Sequence, residues 1–216
     1  MKRSRLGQKG FTLMEIIVVL AVIGALSAVL VPVVFRYIDD ARRGQAQSDA
    51  NVVAAAINQM YKDTGRWPFY ASGTSAALKY TLGTDYAFLT SNTTITGGVL
   101  SGDATVPAVG SATGWDTALK ADSLENHLIK NTPAYATSSG RVWKGPYVDK
   151  IPLVDPWGRS YLVNIANADP GSETPGTQKW TIVISSGPNG TLETNGGTTA
   201  TSSPAVGGDD ILARVK

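Results

Sequence analysis

The sequence predicts an α+β chain: one long N-terminal α-helix whose upper half packs on a small antiparallel β-sheet domain. Three observations lead there. Residues 16–35 are twenty consecutive positions without a charge, mostly Ile, Val, Leu and Ala. Beyond them, apolar residues recur at spacings of three and four as far as Met60. The C-terminal half then changes to short apolar runs punctuated by Gly and Pro, the pattern of strands joined by turns.

The chain opens on Lys2, Arg3, Arg5 and Lys9, followed by Gly10, Phe11 and a single carboxylate, Glu15. At 1.5 Å per residue the apolar run is about 30 Å long, the thickness of a bilayer's hydrocarbon core. A secretory signal peptide accounts for the basic start and for small residues at Ala25, Ser27 and Ala28. The run continues for seven residues past Ala28, however, which is long for such a signal. A plain membrane anchor with its basic flank in the cytoplasm fits the length and the charge. Neither reading explains Glu15, because a carboxylate at the edge of lipid is costly and calls for a partner. Pro32 removes a backbone hydrogen bond inside the run and predicts a kink or a locally melted segment, with Gly24 a second soft point.

Arg36, Asp39, Asp40, Arg42 and Arg43 mark the end of the apolar segment. Ala46, Ala50, Val53, Ala54, Ile57 and Met60/Tyr61 then form one stripe, with Gln47, Asp49, Asn51, Gln59 and Lys62 on other faces. The small residues in the stripe predict close packing against a sheet. Gly65 and Pro68 end the helix. A helix over 12–63 is about 78 Å long, too long for a domain this small to bury. Its lower half needs lipid or other copies of itself.

Residues 91–113 are rich in Thr, Ser, Gly and Ala and read as loop, with a hairpin of Thr93–Ile95 and Val99–Leu100 turning at Gly97-Gly98. Residues 114–131 read as a helix: Trp115, Leu119, Leu124, Leu128 and Ile129 share a face, and Asp122 or Ser123 can cap it. His127 falls here and reads as a surface or partly buried structural residue. Further on, Asp155 before Pro156 predicts an Asx-type turn, fixed by Trp157. Tyr161–Ile165 and Trp180–Ile184 read as strands, and Ile211–Val215 as the last one.

Composition narrows the function. Residues 11–216 hold fifteen basic and seventeen acidic side chains, so the body lacks the basic surface that nucleic acid requires. There is no cysteine, hence no disulfide or thiolate metal site, and the single histidine excludes a histidine-cluster metal site. No phosphate-cradling Gly-rich loop, His-Glu-x-x-His or Gly-x-Ser-x-Gly is present, so a non-enzymatic chain is expected.

Gly10-Phe11-Thr12-Leu13-Met14-Glu15 matches the processing motif of type IV pilins and pseudopilins, and the chain resembles that superfamily. The Asp155-Pro156-Trp157-Gly158-Arg159-Ser160-Tyr161 stretch, and the helix end at Met60-Tyr61, Gly65 and Trp67-Pro68, resemble the major-pseudopilin branch of type II secretion. The resemblance implies a leader, 1–10, cut by a prepilin peptidase between Gly10 and Phe11, with Phe11 then N-methylated. It implies a transmembrane and assembly helix at 11–35, its amphipathic continuation at 36–64, and a globular domain at 65–216 with inserted loops at about 70–130 and 187–208. Glu15 would be fifth in the mature chain and would pair with a neighbouring subunit's terminal ammonium, while Pro32 would allow local unwinding on assembly.

The implied function is a structural subunit of a periplasmic filament that helps drive export across the outer membrane; the alternative is the major subunit of a type IV pilus for motility, adhesion or DNA uptake. The implied partners are copies of itself, minor pseudopilins, the prepilin peptidase, an inner-membrane assembly platform with its cytoplasmic ATPase, and lipid before assembly. The implied location is the inner membrane with the leader in the cytoplasm, then the periplasm. In major pseudopilins the C-terminal end resembles a calcium loop, which here would draw on Ser186, Asn189, Asp209 and Asp210. Asn189 stands where the family more often has aspartate, and two carboxylates instead of three weaken the expected affinity. The same residues also suit a metal-free reading, in which Asp209 caps the turn into the last strand.

Overall fold

The computed structural model describes residues 11–68, 88–92, 96–99, 105–110, 115, 120–138, 140–168, 180–196 and 205–215. The predicted helix is α1 (Leu13–Thr64), 52 residues long. The chain divides into two compact units, Met1–Arg42 and Arg43–Lys216.

In the first unit every described residue is solvent-exposed. Thr12 and Glu15 start the helix by a reciprocal cap. The Glu15 N–H donates to Thr12 Oγ1 at 3.3 Å, and the Thr12 N–H donates to Glu15 Oε2 at 3.4 Å. Pro32 lies inside α1, which remains helical on both sides of it, so the expected melted segment is absent. Proline lacks only its own N–H, and one missing bond does not unravel turns that are otherwise complete.

The second unit begins with the last turns of α1. Ala46, Ala50, Val53, Ala54, Ala56, Ile57, Met60 and Thr64 are buried, which is the expected stripe with Ala56 added. Tyr61 is 38% exposed instead of sharing the stripe. It forms a platform on which Trp67 stacks, ring centroids 4.0 Å apart. The chain reverses between them at Gly65, whose φ of 67° suits glycine, and whose N–H donates to the Tyr61 carbonyl at 2.7 Å. Thr64 Oγ1 covers the Met60 carbonyl at 2.8 Å.

The stripe packs on a sheet built, among the described residues, from β1 (Phe88–Thr90), β2 (Thr96–Val99), β4 (Lys120–Ser123), β5 (Leu162–Asn164), β6 (Ile182–Ser185) and β8 (Ile211–Arg214), in the order β2-β4-β1-β5-β6-β8. β5, β6 and β8 pair antiparallel, with Val163 opposite Val183 and Val183 opposite Ala213. These three side chains join the core beneath α1. Leu162, Ile182 and Ile184 alternate to the other face and pack with Trp115, Trp180 and Leu192. Both faces of β6 are therefore buried, which explains its continuous apolar run. Two polar contacts fix α1 on the sheet: Gln47 Nε2 donates to the Leu212 carbonyl at 3.0 Å, and Tyr161 Oη donates to Asp49 Oδ2 at 3.1 Å. Burial, then the Asp49 carboxylate, pushes the Tyr161 phenol well above its usual pKa, so it stays a donor. A second small sheet pairs β3 (Ala108–Val109) with β7 (Thr191–Leu192) in parallel.

The α+β class holds, with four corrections of detail. The sheet is mixed, because β1 and β4 run parallel, Leu89 opposite Asp122. The stretch 70–130, expected as inserted loops, supplies β1, β2 and β4 to the main sheet. Gly97-Gly98 lies inside β2 and is not a hairpin turn; Thr93–Ile95 and Leu100 lie outside the described residues. Of the helix expected over 114–131, residues 114 and 116–119 lie outside the described residues; the rest holds β4 followed by one short helix, α2 (Leu124–Leu128). Ser123 caps α2 as expected, accepting from the Glu125 N–H at 3.2 Å.

His127 is structural, and more deeply placed than a surface or partly buried residue: it is 0% exposed. Nδ1 meets Tyr135 Oη at 2.6 Å and Nε2 meets Asp122 Oδ2 at 3.1 Å. Asp122 Oδ1 also accepts from the Ser123 N–H and from Asn126 Nδ2. Each polar group in this buried cluster has a partner, so it specifies one packing of α2 on β4.

Candidate functional site

The first candidate surface is α1 itself. Phe11 is 79% exposed and precedes the first helical turn; Gly10 lies outside the described residues. α1 is long and apolar enough to cross a membrane, and none of its most apolar stretch is buried. Each large apolar side chain left in water forgoes about 1.5–3 kcal/mol. A handful of them equals the whole net stability of a domain, about 5–15 kcal/mol. This face therefore requires an apolar cover, and solvent is not one. Glu15 and Pro32 lie on this segment, well apart along it, and no contact joins them.

The second candidate is the C-terminal turn system. Asp155 forms the expected Asx turn: Oδ1 accepts from the Trp157 N–H at 3.0 Å and from the Arg159 N–H at 2.8 Å. Its other oxygen accepts from Ser185 Oγ at 2.6 Å, and Ser185 Oγ accepts from the Gly187 N–H at 3.2 Å. Gly187 has a φ of 62°, and any Cβ there would strike the Asp209 carbonyl. The turn at 187–190 is thus held against Asp209 by backbone proximity.

The four residues expected in the calcium loop lie in or beside this turn. The Asn189 N–H donates to Asp209 Oδ2 at 3.0 Å, and Asn189 Oδ1 accepts from the Thr191 N–H at 2.7 Å. Asp210 is 5% exposed; its Oδ2 accepts from the Glu193 N–H at 2.8 Å and the Thr194 N–H at 2.6 Å. Burial raises the Asp210 pKa against those hydrogen bonds, so its charge is disfavoured where it stands. Within this turn system, Ser186 Oγ, Asp209 Oδ1 and Asp210 Oδ1 are buried without a hydrogen-bond partner. Buried oxygens of this kind are satisfied by a water, a ligand or an ion. Glu193 is the residue that sequence reasoning missed. Its Oε2 accepts from Asn189 Nδ2 at 3.2 Å. No motif marks it, because the contact depends on how the turn folds back. Among the described residues no three Asp, Glu or His side chains already converge as a metal-holding group.

Comparison with known proteins agrees with the N-terminal geometry. Residues 5–31 match the family described as the prokaryotic N-terminal methylation motif. The chain is 35% identical over 74 residues to the toxin coregulated pilin of Vibrio cholerae, covering 34% of this chain and 33% of that one. It is 37% identical over 76 residues to the type II secretion system core protein G of Pseudomonas aeruginosa, covering 35% and 54%. It is 34% identical over 79 residues to a fimbrial protein of Eikenella corrodens, covering 37% and 50%. The chain spans about a third to a half of the length of these relatives, and none of the three is named as an enzyme. No solved structure matches. The chain thus carries the methylation motif at the start of a long apolar helix, followed in sequence by a mixed-sheet domain, and over about a third of its length it is similar to type IV pilins and to a type II secretion core protein.

Proposed function

We propose that the chain is a structural subunit of a type II secretion pseudopilus: cut by a prepilin peptidase after Gly10, N-methylated at Phe11, stored in the inner membrane, and polymerised through α1 into a periplasmic filament. The observation that carries this reading is the exposed apolar face of α1, the first part of which lies within the matched methylation motif. Lipid covers that face in a stored subunit, and the same face of other copies covers it in a filament. A heterologous interface that does not close on itself produces an open helix of subunits. The assembly platform and its ATPase would supply the work, and minor pseudopilins would join the same filament.

The second reading, the major subunit of a type IV pilus, is favoured by the likeness to a toxin coregulated pilin and a fimbrial protein. Deleting the gene in its host separates the two. The pseudopilus reading predicts loss of exported proteins from the medium with surface pili intact. Loss of pili with normal secretion overturns it in favour of the pilus.

Calcium is part of the proposal. The donor set fits a hard cation, since every candidate ligand is an oxygen and three of them are buried without a partner. Ser186, Asp209 and Asp210 would hold the ion, with Asn189 adding a neutral oxygen. Bound there, it would supply positive charge to two carboxylates and tie the turn at 187–190 to Asp209, in a chain that has no disulfide to constrain it.

A further inference from the structure

We infer that Asp155, through Ser185, is the positioning residue of the calcium loop, so that the Asp155–Gly158 turn sets the loop's affinity for the ion. The inference rests on the calcium reading above and adds a residue remote in sequence from the loop. Asp155 is 3% exposed and Ser185 is 0% exposed, so neither can itself reach an ion from solvent. Their contact is nonetheless short, 2.6 Å, and directional: the Ser185 hydroxyl donates to Asp155 Oδ2. With its proton committed there, Ser185 Oγ presents a lone pair to the Gly187 N–H at 3.2 Å.

That N–H belongs to the residue whose α-carbon lies against the Asp209 backbone. The chain of contacts therefore runs from the carboxylate of one turn, through one hydroxyl, to the point where the metal-side loop meets Asp209. It also passes directly beside Ser186, whose unpartnered oxygen is one of the proposed ligand atoms. Asp155 is itself immobilised by the Trp157 and Arg159 N–H groups, so it is a fixed post and not a mobile arm. Groups that orient ligands in this way typically change metal affinity by about 10–100-fold when removed.

The test is calcium titration calorimetry on the full chain in detergent micelles, comparing wild type, Ser185→Ala and Ser185→Thr. Ser185→Ala removes both contacts of the hydroxyl; Ser185→Thr keeps the hydroxyl. The inference predicts calcium binding weakened by about 10-fold or more in Ser185→Ala and near-native binding in Ser185→Thr. A purely structural role would lower the melting temperature in chelator and leave the calcium dissociation constant within about twofold of wild type, and that result overturns the inference while leaving the calcium reading intact. Absence of binding by the wild type overturns the calcium reading and the inference with it.

Discussion

Glu15→Ala inserts into the membrane and fails to assemble. Removing a carboxylate from the edge of an apolar helix lowers the cost of lipid insertion, so the subunit accumulates in the membrane at least as well as wild type. If Glu15 pairs with a neighbouring subunit's terminal ammonium in the filament, as the pilin resemblance implies, the same change leaves that ammonium buried without its counter-charge. Breaking one partner of a buried pair costs about 3–5 kcal/mol, which weakens each subunit addition by about two to four orders of magnitude. The unassembled chain offers a competing explanation, because Glu15 also caps α1 through Thr12. Glu15→Gln separates the two roles: its side-chain oxygen still accepts from the Thr12 N–H, but it carries no charge. The ion-pair account predicts that both variants lack filaments by electron microscopy of sheared or overexpressed material. Normal filaments from Glu15→Gln would assign Glu15 to capping alone.

The second large effect concerns the C-terminal loop. In wild type, calcium at about a hundred times its dissociation constant adds about 2.7 kcal/mol of stability, which raises the melting temperature of a domain this size by about 5–11 °C. The double variant Asp209→Ala plus Asp210→Ala loses that increment. It also melts lower than wild type in chelator, because Asp210 Oδ2 accepts two backbone N–H groups and Asp209 Oδ2 accepts one. The decisive quantity is therefore the difference between calcium and chelator for each protein. A wild-type melting temperature that does not respond to calcium would leave these carboxylates as turn caps only.

The parts of this molecule legible from sequence are those in which local pattern and tertiary environment agree. The buried stripe of α1, its stop at Gly65, the Asp155 turn and strands β5, β6 and β8 each carry their own periodicity or turn chemistry. The central pairing of β1 with β4 does not. Lys120-Ala121-Asp122-Ser123 contains residues that strands usually avoid, and it is a strand because Leu89 and Thr90 pair beside it while Ser123, Asn126 and His127 satisfy the Asp122 carboxylate. Leu124 and Leu128 gave the apolar spacing of a longer helix, but only the turn after Ser123 uses it. At the candidate site, the acids Asp209 and Asp210 could be read from the chain end, whereas Glu193 and the Ser185 link depend on contacts between segments distant in sequence. The Thr12–Glu15 cap is legible as a Thr-x-x-Glu pattern before an apolar run, although the membrane edge makes a second demand on the same carboxylate.

The central claim is that the N-terminal helix is a processed assembly element and not a permanent anchor or a discarded signal. Co-expression with a prepilin peptidase, followed by intact mass and N-terminal sequencing, tests it most directly. The account predicts a chain beginning at Phe11 and carrying one added methyl group, with processing abolished when Gly10 is replaced by a bulky residue. A chain that keeps residues 1–10, or one that begins near Ala28, would contradict it.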